Sequence, residues 1–356
     1  MDLRLTDIVV KEGHNSLLSK LSLSLESGRI HALLGPVAAG KTSLLRCVAG
    51  LQPLASGEIW LDTHCLTKEP PSKRGVAMVY QQFINYPSMS VFDNIAAPLR
   101  RQKISKDQIT SRVNGVAKEL DLEGLLNRRP HQLSGGQQQR TALARALVQE
   151  AKVLLLDEPF VNLDVNLRES LRHTLQEILV GRDCVVLYAT TEAEEALILG
   201  GTVSLLYEGR LLQHGGVEEV FRDPITTSAA AMMTSPTMNF VEGRIFGNHL
   251  SLDGLSDYSL PDHFKEIAEG RYVFGIRPDQ VRPSHQGPNR GVVDYQEVTG
   301  SHSTTHVKMA SGGTFACQTR GVLSHGQGDD FAFDFDTGGI LAFSLEGKLV
   351  KPARLI

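Results

Sequence analysis

Gly35-Pro36-Val37-Ala38-Ala39-Gly40-Lys41-Thr42 fits the pattern GxxxxGK[ST], and the reading of the N-terminal half of the chain turns on it. The apolar run IHALLG ends at Gly35, and the helical pattern SLLRCVAGL begins at Ser43. The motif therefore stands between a buried strand and a helix, which is the setting a phosphate-binding loop requires. Glycines let backbone N–H groups face phosphate oxygens, and the following helix adds the positive end of its dipole. Lys41 can reach β- and γ-phosphates, and the Thr42 hydroxyl can ligate Mg²⁺. Gly35 through Ser43 are the candidate nucleotide cradle. An ordinary glycine turn is the competing reading, and it predicts no second motif downstream.

That second motif is Val153-Leu154-Leu155-Leu156-Asp157-Glu158, a buried strand that ends in two carboxylates. Open α/β sheets bind ligands at the carboxyl ends of their strands. There Asp157 would hold Mg²⁺, and Glu158 would orient and polarise the water that attacks a γ-phosphate. Adjacent acids after a strand also serve as a helix N-cap with a first-turn charge, a reading that a nearby phosphate loop weakens.

Around these motifs the pattern is alternating. LRLTDIVV and LSLSLESG alternate apolar and polar residues as strands do, and CVVLYAT is a short buried-strand run. ISKDQITSRVNGVAKELDLEGLL and NLRESLRHTLQEIL carry apolar residues at helical spacing. Strands interleaved with helices predict a parallel α/β sheet, with a helical subdomain over about 86–148. Thr227 to Met238 loses strong periodicity. Beyond it GRIFGNHLSL, RYVFGIRP, VKMAS, GTFACQT and AFDFD are short strand-like pieces separated by glycine-rich turns, which predict a small all-β barrel. The expected division is 1–235 and 236–356.

The chain has 356 residues, 41% hydrophobic and 21% charged, which suits two globular domains. No run of eighteen apolar residues occurs, and the first residues, MDLRLTDIVV, do not read as a secretory signal, so an intracellular chain is expected. Cys47, Cys65, Cys184 and Cys317 are far apart, form no metal-ligand spacing, and read as buried thiols. A formal net charge of -4 offers no basic stripe for a nucleic acid.

Leu133-Ser134-Gly135-Gly136-Gln137, followed by QQRTALARAL, resembles the signature sequence of ABC ATPases. With it the phosphate-loop (P-loop) NTPase reading becomes an ABC ATPase with a RecA-like core. The resemblance implies that Ser134, Gly135, Gly136 and Gln137 meet the γ-phosphate of ATP held by a partner subunit, so that two ATPase subunits sandwich two nucleotides. It implies that Gln81 in VYQQ touches Mg²⁺ and the attacking water, and that Asn162-Leu163-Asp164 crosses the dimer interface. Residues 83–99, FINYPSMSVFDNIAAPL, resemble the surface that receives a coupling helix from a membrane subunit, with contacts expected over about 81–99. Phe83 and Tyr86 packed in the core is the alternative for that stretch. Phe274-Gly275-Ile276-Arg277-Pro278 resembles the OB-like (TOBE-type) regulatory domain of maltose-type importers.

Two positions depart from the family pattern. Thr191 stands where the resemblance implies a switch histidine that hydrogen-bonds the γ-phosphate. Glu12 stands where an aromatic ring would stack on adenine, and a carboxylate cannot stack as a ring does. With the signature intact, these departures predict an asymmetric pair in which this chain's own site is impaired and its signature completes a site on a different ATPase subunit. Glu158 argues the other way. VAMVYQQFINYP, LSGGQQQRTALARAL and YATTEAEEALILGG resemble the ATPase subunits of bacterial glycerol importers. That implies glycerol as cargo, two membrane-spanning permease subunits, a periplasmic solute-binding protein, and a peripheral place on the cytoplasmic face of the inner membrane. An importer for another sugar, polyol or polyamine shares all but the finest of these likenesses, and a nucleotide-dependent regulatory partner with little turnover is the runner-up. Soluble ABC proteins with long heptad arms or tandem cassettes are excluded by the absence of both.

Overall fold

The computed structural model describes residues 1–102, 104–161, 165–179 and 182–353. They form two compact units, Met1–Gly216 and Val217–Ile356.

The first unit opens with β1 (Asp2–Glu12), β2 (Asn15–Glu26) and β3 (Ile30–Leu34). After α1 (Lys41–Ala49) come β4 (Ser56–Leu61), β5 (His64–Cys65) and β6 (Val76–Val79). The helices α2 (Val91–Ala96), α3 (Lys106–Glu119) and α4 (Gly135–Leu147) fill the gap before β7 (Val153–Asp157), where a helical subdomain is expected. Then follow α5 (Val165–Leu179), β8 (Val185–Thr190), α6 (Ala193–Leu199), β9 (Thr202–Tyr207) and β10 (Arg210–Gly216).

Two sheets result. One has the order β2-β1-β4-β5 and is antiparallel; the other has the order β10-β9-β3-β8-β7-β6, parallel except at β10. Every residue of β3, β7 and β8 is buried, as expected of parallel strands covered on both faces. β1 instead alternates, and its Leu3, Leu5, Ile8 and Val10 pack with Leu44, Leu45 and Val48 of α1 between the two sheets. The opposite face of the parallel sheet buries Leu154, Leu156, Val186 and Tyr188 against α2, α3, α4 and α5. α3 starts at a capping box in which Ser105 accepts from Gln108 N and Gln108 Oε1 accepts from Ser105 N.

The second unit begins with α7 (Val217–Arg222) and α8 (Thr227–Met232). Its strands are β11 (Asn239–Phe246), β12 (His249–Leu252), β13 (Tyr258–Ser259), β14 (Gly270–Ile276), β15 (Val281–Pro283) and β16 (Asn289–Val298). β17 (His302–Met309), β18 (Thr314–Arg320), β19 (Asp330–Phe335), β20 (Leu341–Phe343) and β21 (Leu349–Lys351) complete it. They make two sheets, ordered β13-β12-β11-β14-β20-β21 and β15-β19-β16-β17-β18, around Phe264, Phe274, Phe315 and Phe333. The division falls at Gly216, ahead of the expected boundary at 235, because α7 and α8 are tied to the strands after them. Leu349 N donates to Ile225 O, Thr227 N donates to Gly347 O, and Arg277 donates to Phe221 O. The stretch after Thr227, which shows no periodicity in sequence, starts as a helix because Thr226 caps it by accepting from Ala229 N over an alanine-rich turn. Asn239, 6% exposed, pairs both ways with the backbone of Ala316 and so joins the two sheets. Cys47, Cys184 and Cys317 are buried as expected, but Cys65, on the short edge strand β5, is only half-buried. Among the described residues no helix is long and apolar enough to cross a membrane.

Candidate functional site

Four neighbouring parallel strands deliver the expected residues to one edge of the sheet. β3 runs into the loop Gly35–Gly40, β8 into Thr191, β7 into Asp157 and Glu158, and β6 into Tyr80 and Gln81. The loop is seated on its neighbours: Gly35 N donates to Thr190 O, and Glu158 N donates to Ala189 O.

Two glycines have no substitute there. A Cβ on Gly35 would meet Leu206 O at 2.3 Å, and one on Gly40, whose φ is +102°, would meet Leu17 O at 2.8 Å. Between them Pro36 and Val37 lie on the outer turn, Val37 is 85% exposed, and Ala38 adopts φ +65°. Left-handed residues in such a turn point successive N–H groups to one side, forming a concave anion nest. Ala39 is buried beneath it, and α1 begins at Lys41 with no acidic residue in its first turn.

Lys41 is 5% exposed. Its ammonium donates to Gly35 O at 2.7 Å and Pro36 O at 3.0 Å, and lies 3.2 Å from Glu158 Oε1. Gln81 Nε2 donates to Glu158 Oε2 at 3.2 Å, and Thr42 Oγ1 donates to Asp157 Oδ1 at 3.0 Å. Burial pushes the Asp157 carboxyl up from its ordinary range, and the Thr42 hydrogen bond opposes that shift. A buried ammonium, a hydroxyl, an amide and two carboxylates thus converge. The donor set is hard oxygen, which suits Mg²⁺ held jointly with phosphates. Glu158 itself sits at φ +45°, a left-handed backbone that costs a non-glycine residue roughly 1 kcal/mol or more.

Glu12, the last residue of β1, is paired with Asn15 across the hairpin and is exposed. With Leu17, Ser43, Arg46, Gln52 and Tyr80 it lines a cavity of about 440 Å³ beside α1. The sequence reading missed Tyr80 and Arg46, although Tyr80 directly precedes Gln81. Thr191 is exposed at the end of β8.

In the signature segment, Ser134 is the N-cap of α4: its hydroxyl oxygen accepts from Gln137 N at 3.3 Å, while Gln137 Oε1 accepts from Ser134 N. The hydroxyl accepts that bond and keeps its proton to donate to a ligand oxygen. Gly135 is exposed and Gly136 buried. Asn162, Leu163 and Asp164 lie outside the described residues. In the stretch from 83 to 99, Ile84 and Tyr86 are 60% and 44% exposed, and Phe83 is half-buried, so Tyr86 does not pack in the core. Arg145 of α4 lies over the Tyr86 ring at 5.0 Å and donates to Ile84 O.

The family model described as ABC transporter matches residues 18–161, and the TOBE domain model matches 274–343. The sn-glycerol-3-phosphate import ATP-binding protein UgpC of Escherichia coli O1:K1 / APEC is 38% identical over 83% of this chain and 84% of its own length. The chain belongs to the ABC transporter ATP-binding proteins. The trehalose/maltose import ATP-binding protein MalK of Thermococcus litoralis, another member, is 35% identical over 93% of this chain and 95% of its own. Among solved structures, the dimeric post-hydrolysis state of the ATP-binding cassette MJ0796 bound to ADP and Pi is similar at TM-score 0.55 and 26% identity, covering 60% of this ABC ATPase and 98% of that chain. CbiO1 from Clostridium perfringens, part of a transporter complex, is similar at TM-score 0.57 and 26% identity, covering 62% and 90%. This ABC ATPase is thus an ATP-binding subunit of an importer, with a P-loop core and a barrel-like β domain after it.

Proposed function

We propose that this ABC ATPase hydrolyses ATP with Mg²⁺ to energise import of glycerol or a glycerol-based solute, and that Thr191 leaves its own site weaker than that of a different partner ATPase. The convergence of Lys41, Thr42, Gln81, Asp157 and Glu158 carries the hydrolytic reading. Magnesium supplies charge neutralisation at the phosphate oxygens when bound, with Thr42, Gln81 and Asp157 as its candidate holders. Lys41 and the N–H groups of Gly35 to Gly40 bind phosphate oxygens, with Ser43 adding a hydroxyl at the helix start. Glu158 orients the attacking water, and Gln81 fixes the Glu158 rotamer by its hydrogen bond. Tyr80 and Arg46 offer flat surfaces to a base in the cavity that Glu12 lines, in place of a ring at position 12.

The printed substrates of the relatives, a glycerol phosphate and the sugars trehalose and maltose, support a polyol or sugar as cargo. Two permease subunits contacting residues 81–99, a solute-binding protein, and a place on the cytoplasmic face of the inner membrane follow from the importer role. The exposed Ile84 and Tyr86 support that contact. Ser134 to Gln137 would complete the partner's nucleotide site, and the β domain would regulate.

One experiment tests the whole reading: Glu158→Gln in this chain and the equivalent change in its partner ATPase, each assayed for ATP turnover and for glycerol uptake against glycerol 3-phosphate and maltose. Loss from the partner's change alone supports the impaired site. Equal loss from either change shows two working sites or a pair of like chains. Thr191 and Glu12 favour a second reading, a nucleotide-dependent partner with little turnover, and that reading stands if Glu158→Gln changes nothing.

A further inference from the structure

Behind Thr191 lies a buried charged cluster that the hydrolytic site does not use. Glu195, in the first turn of α6, is 4% exposed. Its Oε2 accepts from the Thr190 hydroxyl at 2.6 Å and from the Tyr188 hydroxyl at 3.0 Å, while its Oε1 faces Arg172 Nε at 3.7 Å. Tyr188, Thr190 and Arg172 are themselves 0%, 2% and 6% exposed. The Thr190 oxygen in turn accepts from Glu192 N at 3.0 Å. Glu192 pairs with Arg168 at 2.6 Å. Arg168 and Arg172 are one helical turn apart on α5, so two arginines of one helix face the two carboxylates, Glu192 and Glu195, that follow Thr191.

A stable core has little use for this arrangement. Burying a carboxylate costs several kcal/mol, and well-packed apolar residues often do as well or better in its place. Burial pushes the Glu195 carboxyl up, against the pull of the Thr190 and Tyr188 hydrogen bonds. What the carboxylate does that an apolar side chain cannot is fix direction. It orients the Thr190 hydroxyl, the Thr190 oxygen then takes the Glu192 N–H, and the residue between them is held at both ends. Thr190 O also accepts from Gly35 N, so the same strand end anchors the phosphate loop.

We propose that Glu195 is a positioning residue: with Arg172 and Arg168 it fixes the Thr190–Glu192 turn against α5, so that Thr191 keeps its place beside the phosphate loop. This rests on the reading that Thr191 faces the transferred phosphate. A threonine has a shorter reach than a histidine, so a donor at this position depends more closely on where the backbone puts it.

A double-mutant cycle in the full-length chain tests it, with steady-state ATP hydrolysis as the measurement. Glu195→Ala is expected to lower kcat about tenfold and to change KM for ATP by less than about twofold, the mark of lost placement rather than lost binding. In a Thr191→Ala background the same change is expected to cost less than about twofold, because the group being positioned is gone. Glu195→Gln, which keeps an acceptor oxygen for the two hydroxyls, should fall between. Tyr188→Phe removes one of those hydroxyls alone and repeats the cycle if Glu195→Ala does not fold. Losses that multiply independently, or a change confined to KM, overturn the positioning role while leaving the hydrolytic function intact. Absence of hydrolysis by the wild-type chain, alone and with its partner, overturns that function and this inference with it.

Discussion

The Lys41 ammonium lies 3.2 Å from a Glu158 carboxylate oxygen, with both side chains largely sequestered. Each compensates the other's charge, and Gln81 holds the far oxygen of the same carboxylate. The proposed phosphate-binding cation and the proposed water-orienting base are thus one electrostatic unit, and the site's chemistry should fail differently according to which half is removed.

Lys41→Met strips the cradle of its cation and leaves Glu158 without a counter-ion. It should lower kcat/KM for ATP by about 10²- to 10³-fold and weaken nucleotide binding. Glu158→Gln keeps the shape and a partner for Gln81, so it should lower kcat by a comparable factor of about 10² to 10³ with binding retained. Titration with a fluorescent ATP analogue beside steady-state turnover separates the two.

Thr191→His restores a longer donor at the end of β8. If the own site is limited by reach, kcat should rise about tenfold or more. Steady-state turnover of the purified variant checks it, and an unchanged rate would show that the threonine hydroxyl already suffices.

His31, 2% exposed in β3, has both ring nitrogens engaged: Nε2 donates to Glu26 O at 2.7 Å, which leaves Nδ1 to accept from the Thr202 hydroxyl at 2.6 Å. The neutral ring satisfies both partners without a buried charge. Its pKa is lowered, chiefly by burial, below the ordinary 6.5. Between that lowered value and 6.5 the unfolded chain binds the extra proton and the folded chain does not, so stability is full above pH 6.5 and is lost as the pH falls through this window. The loss should be about 1.4 kcal/mol for each unit by which the pKa is lowered. Urea unfolding at pH 7.5, 6.0 and 5.0 should show this acid sensitivity in the wild type, and His31→Gln should reduce it.

Arg277, 6% exposed, donates to Phe221 O at 2.7 Å and lies 4.4 Å from the Phe221 ring centroid. A planar guanidinium satisfies both contacts, and an ammonium does not. Arg277→Lys should therefore destabilise the second unit by about 1–2 kcal/mol despite keeping the charge, and Arg277→Ala by about 3 kcal/mol or more. Differential scanning calorimetry of the full chain, with limited proteolysis around α7, reads both.

Much of the proposed hydrolytic site is legible in sequence because its residues come in local motifs. Gly35 to Thr42 and Leu156 to Glu158 are contiguous motifs, and a buried strand before each places it at a sheet edge. Tyr80 and Arg46 are not legible, since only the folding of α1 against β6 and β1 brings them to one cavity with Glu12. The Glu195 cluster is hidden for the same reason: Arg172 reaches it from 23 positions away, across a helix and a strand. α8 escapes because an alanine-rich turn has no amphipathic period, and its cap at Thr226 looks like any loop threonine. The two divisions follow different signals: sequence composition changes near 235, whereas the compact units divide at Gly216.

The left-handed backbone of Glu158 has a further bearing on whether this site is in use. Glycine or asparagine would rest there with less strain than glutamate does. A subunit released from hydrolysis would gain stability by exchanging this residue for either, and random substitution tends to relax a conformation that nothing any longer requires. Glutamate at this seat is a cost still being carried. On the proposed reading of Thr191 as a short donor, the strained glutamate at 158 sets the limit: a weakened site, and not one withdrawn from the reaction.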